Sequence, residues 1–260
     1  MVDLNAAERR SQIAQMVLER GRVQVADLVA LFQVTETSIR RDLNILEDAG
    51  RLKRVHGGAV PLLGNTRTDS FVEKMNLHIH EKQRIGRFAA QMINPGEVVV
   101  FDSGTNTLQV VMNIPAALRT GNSLTLVTNS LPIAREVLAW PSPNLIILGG
   151  LYLADYQATV GPQALAQMKE YTADKLFLGA DGLTVKGGAT TAHILMAELD
   201  RMMAEQSRQI ILVTESRKLG RIGFTPVIPV SRIDTLITDT DAPMDIVREI
   251  EDQGVEVHLV

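Results

Sequence analysis

The chain has 260 residues, with 26 Lys+Arg against 30 Asp+Glu, a formal net charge of −4 and a pI near 5.8. That balance excludes a protein held on nucleic acid by bulk charge, so any such contact is local. There is no cysteine, hence no disulfide and no thiolate chemistry. The absence of a signal-peptide core in the first residues and of any apolar run of membrane-spanning length leads us to expect a cytoplasmic protein.

The first predicted helix covers 6–20, with Ile13, Met16 and Val17 on one face and Leu18 nearby. A short helix over 25–32 follows, with Leu28, Leu31 and Phe32 apolar, and Gln33-Val34 reads as a tight turn. Thr35 is then the expected N-cap of a longer helix, with Ser38 three residues on and Ile39, Leu43 and Leu46 at helical spacing. Gly50 is expected to end it. Arg51, Lys53 and Arg54 run into His56-Gly57-Gly58, a short basic hairpin. Two helices, a tight turn, a longer helix and a basic hairpin make a winged helix-turn-helix, in which the third helix enters a DNA major groove and the wing rests on the backbone. Any small three-helix domain shows amphipathic helices; the Arg40-Arg41 pair and the basic hairpin beside it carry the DNA assignment. Thr35, Thr37, Ser38, Arg40 and Arg41 are the candidate contacts of the helix, and Arg51, Lys53, Arg54 and His56 those of the wing. Asp42 is expected to orient Arg41 or cap a neighbour rather than touch DNA. Residues 1–58 carry 9 Lys+Arg against 8 Asp+Glu, so the basic surface is narrow.

The chain divides near 60–75. We expect residues 1–60 to be the DNA-binding domain, 61–75 a Pro/Gly/polar linker and 76–260 the second domain. A helix is predicted over 70–93. From residue 97 short β-branched runs at 98–101, 124–127, 145–148, 175–178, 210–213 and 235–237 alternate with predicted helices at 108–118, 132–139, 162–168, 194–205 and 244–252, and 255–260 is a candidate last strand. Continuous apolar runs alternating with helices predict a mainly parallel, Rossmann-like α/β sheet.

Each run ends in small or polar residues, and in open α/β sheets the ligand crevice lies outside the carboxyl ends of the strands. The 102–107 loop, Asp-Ser-Gly-Thr-Asn-Thr, joins a strand to a helix. Its hydroxyls, its glycine and the N–H groups of a helix start suit a phosphate monoester; a capped helix with no ligand is the alternative. Asp102, Ser103, Gly104, Thr105, Asn106 and Thr107 are therefore candidate effector residues. Asn129, Gly149, Gly150 and Asp181 join them from neighbouring strand ends, and Lys218 as a cation. The loop has neither the three spaced glycines of a dinucleotide fingerprint nor the Gly-Lys-Ser/Thr of a P-loop. We expect no cofactor, and the histidines suggest no metal site: His78 and His80 fall on different faces of a helix.

These residues resemble the DeoR family of bacterial transcriptional regulators over nearly the whole chain. The resemblance is carried by Ser38-Ile39-Arg40-Arg41-Asp42-Leu43, His56-Gly57-Gly58-Ala59 and Glu81-Lys82 in the first third. Later come Asp102-Ser103-Gly104-Thr105, Thr128-Asn129, Gly149-Gly150, Gly179-Ala180-Asp181-Gly182, Thr190-Thr191 and the 216–220 run. It implies a repressor of a carbohydrate-utilisation operon controlled by a phosphorylated sugar or sugar-derived metabolite. Helix-turn-helix proteins pair on palindromic sites, so a homodimer or homotetramer is expected. The family's second domain is similar to ribose-phosphate isomerases, whose acidic run places a glutamate where Gly182 stands here; one carboxylate in isolation argues against a proton shuttle, and no catalytic residue is assigned. Glu215 and Arg217 depart from the family's usual aspartate and serine and are expected beside the ligand.

Overall fold

A computed structural model describes residues 6–20, 23–48, 52–55, 57–60, 71–120 and 123–260. The chain forms two compact units, Met1–Thr68 and Asp69–Val260.

In the first unit α1 (Ala6–Arg20), α2 (Val25–Phe32) and α3 (Glu36–Asp48) enclose a core in which Ile13, Val17, Leu28, Ile39, Leu43 and Leu52 are fully buried. The α2–α3 turn is made by Gln33, which adopts a left-handed φ of 52° and donates its N–H to the Val29 carbonyl at 2.9 Å. Thr35 caps α3: its Oγ1 accepts from the Ser38 N–H at 3.3 Å. β1 (Val23–Gln24), β2 (Lys53–Val55) and β3 (Gly58–Val60) form an antiparallel sheet in the order β1-β3-β2. β1 is not legible as a strand in the sequence. Gly58 permits its pairing, since a Cβ there would overlap the Val23 carbonyl. Gly50, Arg51, His56 and residues 61–70 of the expected 61–75 linker lie outside the described residues, and the remaining 71–75 are helical rather than linker.

The second unit opens with α4 (Phe71–Asn76) and α5 (Ile79–Ala90). The single helix expected over 70–93 is broken by His78, whose φ of 51° is left-handed. α4 inserts Phe71 into the second unit's core. Then come β4 (Val98–Phe101), α6 (Thr105–Met112), β5 (Thr125–Thr128), α7 (Leu131–Val137), β6 (Asn144–Ile147), β7 (Leu151–Leu153), β8 (Ala158–Val160) and α8 (Pro162–Lys169). They are followed by β9 (Ala173–Leu178), β10 (Gly182–Thr184), β11 (Gly188–Thr191), α9 (Ile194–Glu205), β12 (Ser207–Val213), β13 (Thr225–Ile228), β14 (Thr235–Thr238), α10 (Met244–Glu251) and β15 (Glu256–Leu259). α6 stops short of the predicted 118 because Pro115 cannot continue the helix, and a 3₁₀ turn at Ala116–Leu118 takes its place.

Seven strands pair in parallel in the order β15-β14-β12-β9-β4-β5-β6. Successive side chains go to opposite faces. Val99, Phe101, Phe177, Ile211 and Ile237 pack under α5, α6 and α7, whereas Val100, Leu176, Leu178, Leu212 and Leu236 pack under α8, α9 and α10. Both faces are covered, which explains the unbroken apolar runs. Phe101 and Phe177 stack across β4 and β9 with centroids 5.3 Å apart. The order reverses between β4 and β9, so the crevice at their carboxyl ends is the topological switch point. Two small sheets sit apart from the main one: the β7–β8 hairpin and the β10-β11-β13 ribbon. Among the described residues no helix is long and apolar enough to cross a membrane.

Candidate functional site

On the first unit Thr35, Thr37, Arg40, Arg41 and Lys53 are exposed. The structure differentiates among the predicted contacts. The Thr35 and Ser38 hydroxyls bond each other at 2.9 Å. Arg40 is held by Glu36, one turn back, at 2.6 Å. Arg54 lies half-buried along α3, its N–H donating to Glu47 at 2.8 Å and its guanidinium to the Asn44 side chain. Asp42 neither orients Arg41 nor caps a neighbour: it is buried and accepts from Arg9 at 2.7 Å and Arg10 at 3.4 Å, fastening α3 to α1.

On the second unit the switch point opens into a cleft. Its floor is the β4–α6 loop with Asp102, Ser103, Gly104, Thr105 and Asn106, and its sides include Asp181, Lys218, Lys74, Tyr156 and Asp200. Asp102 staples the two strand ends together. One carboxylate oxygen accepts from the Gly104 N–H at 2.8 Å and the Thr107 hydroxyl at 2.6 Å, and the other from the Gly179 N–H at 2.7 Å. A Cβ on Gly104 would lie 3.0 Å from Asp102 and 3.1 Å from Thr107. Burial pushes the Asp102 carboxyl up, against these bonds. Asp102 shapes the loop; an acceptor-only carboxylate has nothing to offer a phosphate.

Not every predicted effector residue reaches the cleft. Thr107 is fully buried, its hydroxyl turned to Asp102 and to the Gly104 carbonyl at 2.7 Å. Asn129 is fully buried too and donates to the Thr159 carbonyl at 2.9 Å, tying β5 to the β7–β8 hairpin. Gly149 donates to Gln167 at 2.9 Å, and a Cβ on Gly150 would overlap the Val160 carbonyl, so this pair serves close packing on α8 and β8. These four residues do not line the cleft. Ser103, Gly104 and Thr105 do, at the first turn of α6, where backbone N–H groups lack helical partners.

The cations are positioned from behind. Lys218 donates to the Ala180 carbonyl at 2.8 Å and pairs with Glu215 at 3.2 Å. Glu215 does not line this cleft; it is buried behind Lys218, where it also meets Lys82 at 2.9 Å, Arg217 at 3.5 Å and the Asn106 amide at 2.8 Å. Burial alone would push its carboxyl up. Lys218, Lys82 and Arg217 outweigh that and hold it well below the usual carboxylate range. Lys74, missed in the sequence, pairs with Asp181 at 3.0 Å and lies 5.6 Å over the Tyr156 ring. Asp181 also accepts from Thr191 at 3.1 Å and the Ala192 N–H at 3.0 Å. Burial raises its carboxyl, but Lys74 and Lys218 bring it down to about 2. Asp200, also missed, was signalled as a lone acid among Met196, Leu199 and Met203 on the buried stripe of α9.

Residues 9–62 match the DeoR-like helix-turn-helix domain and residues 77–240 the DeoR C terminal sensor domain. A protein of Escherichia coli O157:H7 named "Putative aga operon transcriptional repressor" is 34% identical over 98% of this chain and 94% of its own length. The HTH-type transcriptional regulator GlpR of Haloferax volcanii is 35% identical over 96% of each chain. Among solved structures, ribose 5-phosphate isomerase A of Methanocaldococcus jannaschii aligns at 13% identity over 53% of each chain, with a TM-score of 0.39. With both domains matched along its length, the chain belongs to the DeoR family of transcriptional regulators.

Proposed function

We propose that this DNA-binding regulator represses a carbohydrate-utilisation operon and that a phosphorylated sugar, bound at the switch-point cleft, controls its hold on the operator. The observation that carries the reading is the first turn of α6, where Ser103, Gly104 and Thr105 open onto a cleft flanked by Lys74 and Lys218. In it the phosphate lies on the α6 N–H groups and the sugar extends toward Asp181. On the first unit Arg41 and Thr37 read or position DNA from α3 and Lys53 from the wing, with Arg51 and His56 assigned to the wing on sequence grounds. Residues 1–60 act as the DNA-binding domain, and the effector unit begins with α4, which supplies Lys74. The regulator works as a homodimer or homotetramer, since paired half-sites multiply affinity. We assign no turnover to this function: Asp102 is committed to backbone N–H groups and Asp181 is clamped by Lys74, so neither is free to act as a base. The names of the two relatives support the reading: one is named "Putative aga operon transcriptional repressor" and the other an HTH-type transcriptional regulator.

The test is operator binding by the full chain, on DNA upstream of its own gene, with and without a panel of sugar phosphates and the matching free sugars. Phosphorylated sugars are expected to raise the melting temperature and to shift operator affinity. Stabilisation by free sugars and by no phosphorylated one would defeat the assignment.

A further inference from the structure

Asp200 is 3% exposed, and among the described residues its Oδ1 has no hydrogen-bond partner. It lines the same cleft as Ser103 and Lys218, one helical turn beyond Met196 on α9. A buried carboxyl oxygen without a partner is a costly arrangement that native proteins rarely keep without a use. The nearby cations do not serve it: Lys74 is on Asp181, and Lys218 is on Glu215 and the Ala180 carbonyl. Burial and the charges of Asp102 and Asp181 push its carboxyl well above the usual range, with only Arg201 pulling the other way. In its neutral form it offers one O–H donor and remaining acceptor capacity.

We propose that Asp200 is a specificity-determining residue of the cleft, one that hydrogen-bonds an uncharged oxygen of the ligand's carbon chain, a hydroxyl or carbonyl, and selects against a second anionic group at that end. This rests on the phosphate reading of the α6 loop. It narrows the ligand to a sugar monophosphate with a neutral polyol or carbonyl portion. The carboxyl groups of Asp102 and Asp181 line the cleft beside Asp200. A bisphosphate or a phosphorylated sugar acid would bring its second charge against them.

Calorimetric titration of the full chain and its Asp200→Asn and Asp200→Ala variants tests this. The probes are inorganic phosphate, glucose 6-phosphate, fructose 1-phosphate, fructose 1,6-bisphosphate and 6-phosphogluconate. In the wild type, one of the two monophosphates is expected to bind about tenfold or more tighter than inorganic phosphate and than either doubly anionic probe. Asp200→Asn keeps a donor and an acceptor in the same shape and is expected to hold that affinity within about threefold; Asp200→Ala is expected to lose about tenfold while binding inorganic phosphate as before. Among the described residues the Oδ1 of Asp200 has no hydrogen-bond partner, so neither variant removes a bond there. Equal monophosphate binding by wild type and Asp200→Ala overturns the proposal. So does a doubly anionic probe that binds as well as the monophosphates, or sugar phosphates no tighter than inorganic phosphate; in that last case phosphate binding itself still stands. If inorganic phosphate and every sugar phosphate fail to bind, the phosphate site falls and Asp200's role with it.

Discussion

Asp42 in the first unit and Glu215 in the second are both buried acids that face more than one cation. Asp42 takes both of its cations from α1, and their side chains keep 14% and 28% of their surface in water. The result is a fastening between two helices. Glu215 gathers Lys82 from α5, Arg217 and Lys218 from its own turn and the Asn106 amide from α6, and Lys82 is only 1% exposed. Burial pushes the Lys82 ammonium down, and the adjacent Glu215 carboxylate counters this. One carboxylate against three cations leaves positive charge in excess beside the cleft. Where the charge serves only to hold helices together, it sits at a rim that water screens. Where it backs a binding cleft, it is buried and needs a carboxylate to keep it there.

That contrast ranks the expected effects. Glu215→Ala strands Lys82 in the interior and should destabilise the second unit by about 3–5 kcal/mol in urea unfolding. Asp42→Ala should cost the first unit about 1–3 kcal/mol, since its arginines reach water; an equal or larger loss there would erase the distinction. The acids also separate by pH. Asp181, depressed to about 2 from an ordinary 3.8, lends stability that is complete above pH 4 and is lost as pH falls toward 2. Its share is about 2 kcal/mol. Asp200, raised, acts in the opposite sense: the fold loses stability as pH rises from about 4 toward that group's own higher value. Asp200→Asn should therefore stabilise the protein at neutral pH and do nothing near pH 3, read from thermal unfolding at the two pH values. At the DNA end, Arg41→Ala should weaken operator binding by about 1–3 kcal/mol if the side chain reads a base. An equal loss on random DNA would make it a phosphate contact. Smallest of all, Arg40→Ala should change stability by only about 0.3–0.5 kcal/mol, because its partner Glu36 is exposed and one turn away.

The sequence was most legible where burial is uniform. The strands of the parallel sheet are apolar on both faces, and α9 is a stripe of Met196, Leu199 and Met203, so their spans lie within a few residues of those expected. It was least legible where partners are distant. Glu215 meets Asn106 from 109 residues away and Lys74 meets Asp181 from 107, and no local pattern announces such pairs. The β10-β11-β13 ribbon was missed because its strands are short and polar, as in Thr184 and Thr190-Thr191. In the 102–107 loop the residue types do not separate the roles that the geometry assigns. Asp102 and Thr107 build the turn that Ser103, Gly104 and Thr105 present, and composition cannot distinguish a builder from a presenter. Asp200 is marked in the sequence only by its place on the apolar stripe of α9, which does not say that its carboxyl faces a cleft.

Gly86 gives the effector unit a mechanical property. A Cβ there would come within 2.5 Å of the Gln109 backbone, so α5 and α6 cross with nothing between their main chains. Two helices in such contact cannot slide past one another by small side-chain adjustments. The crossing joins the helix whose start faces the cleft to the helix that bears Lys82 by direct backbone contact.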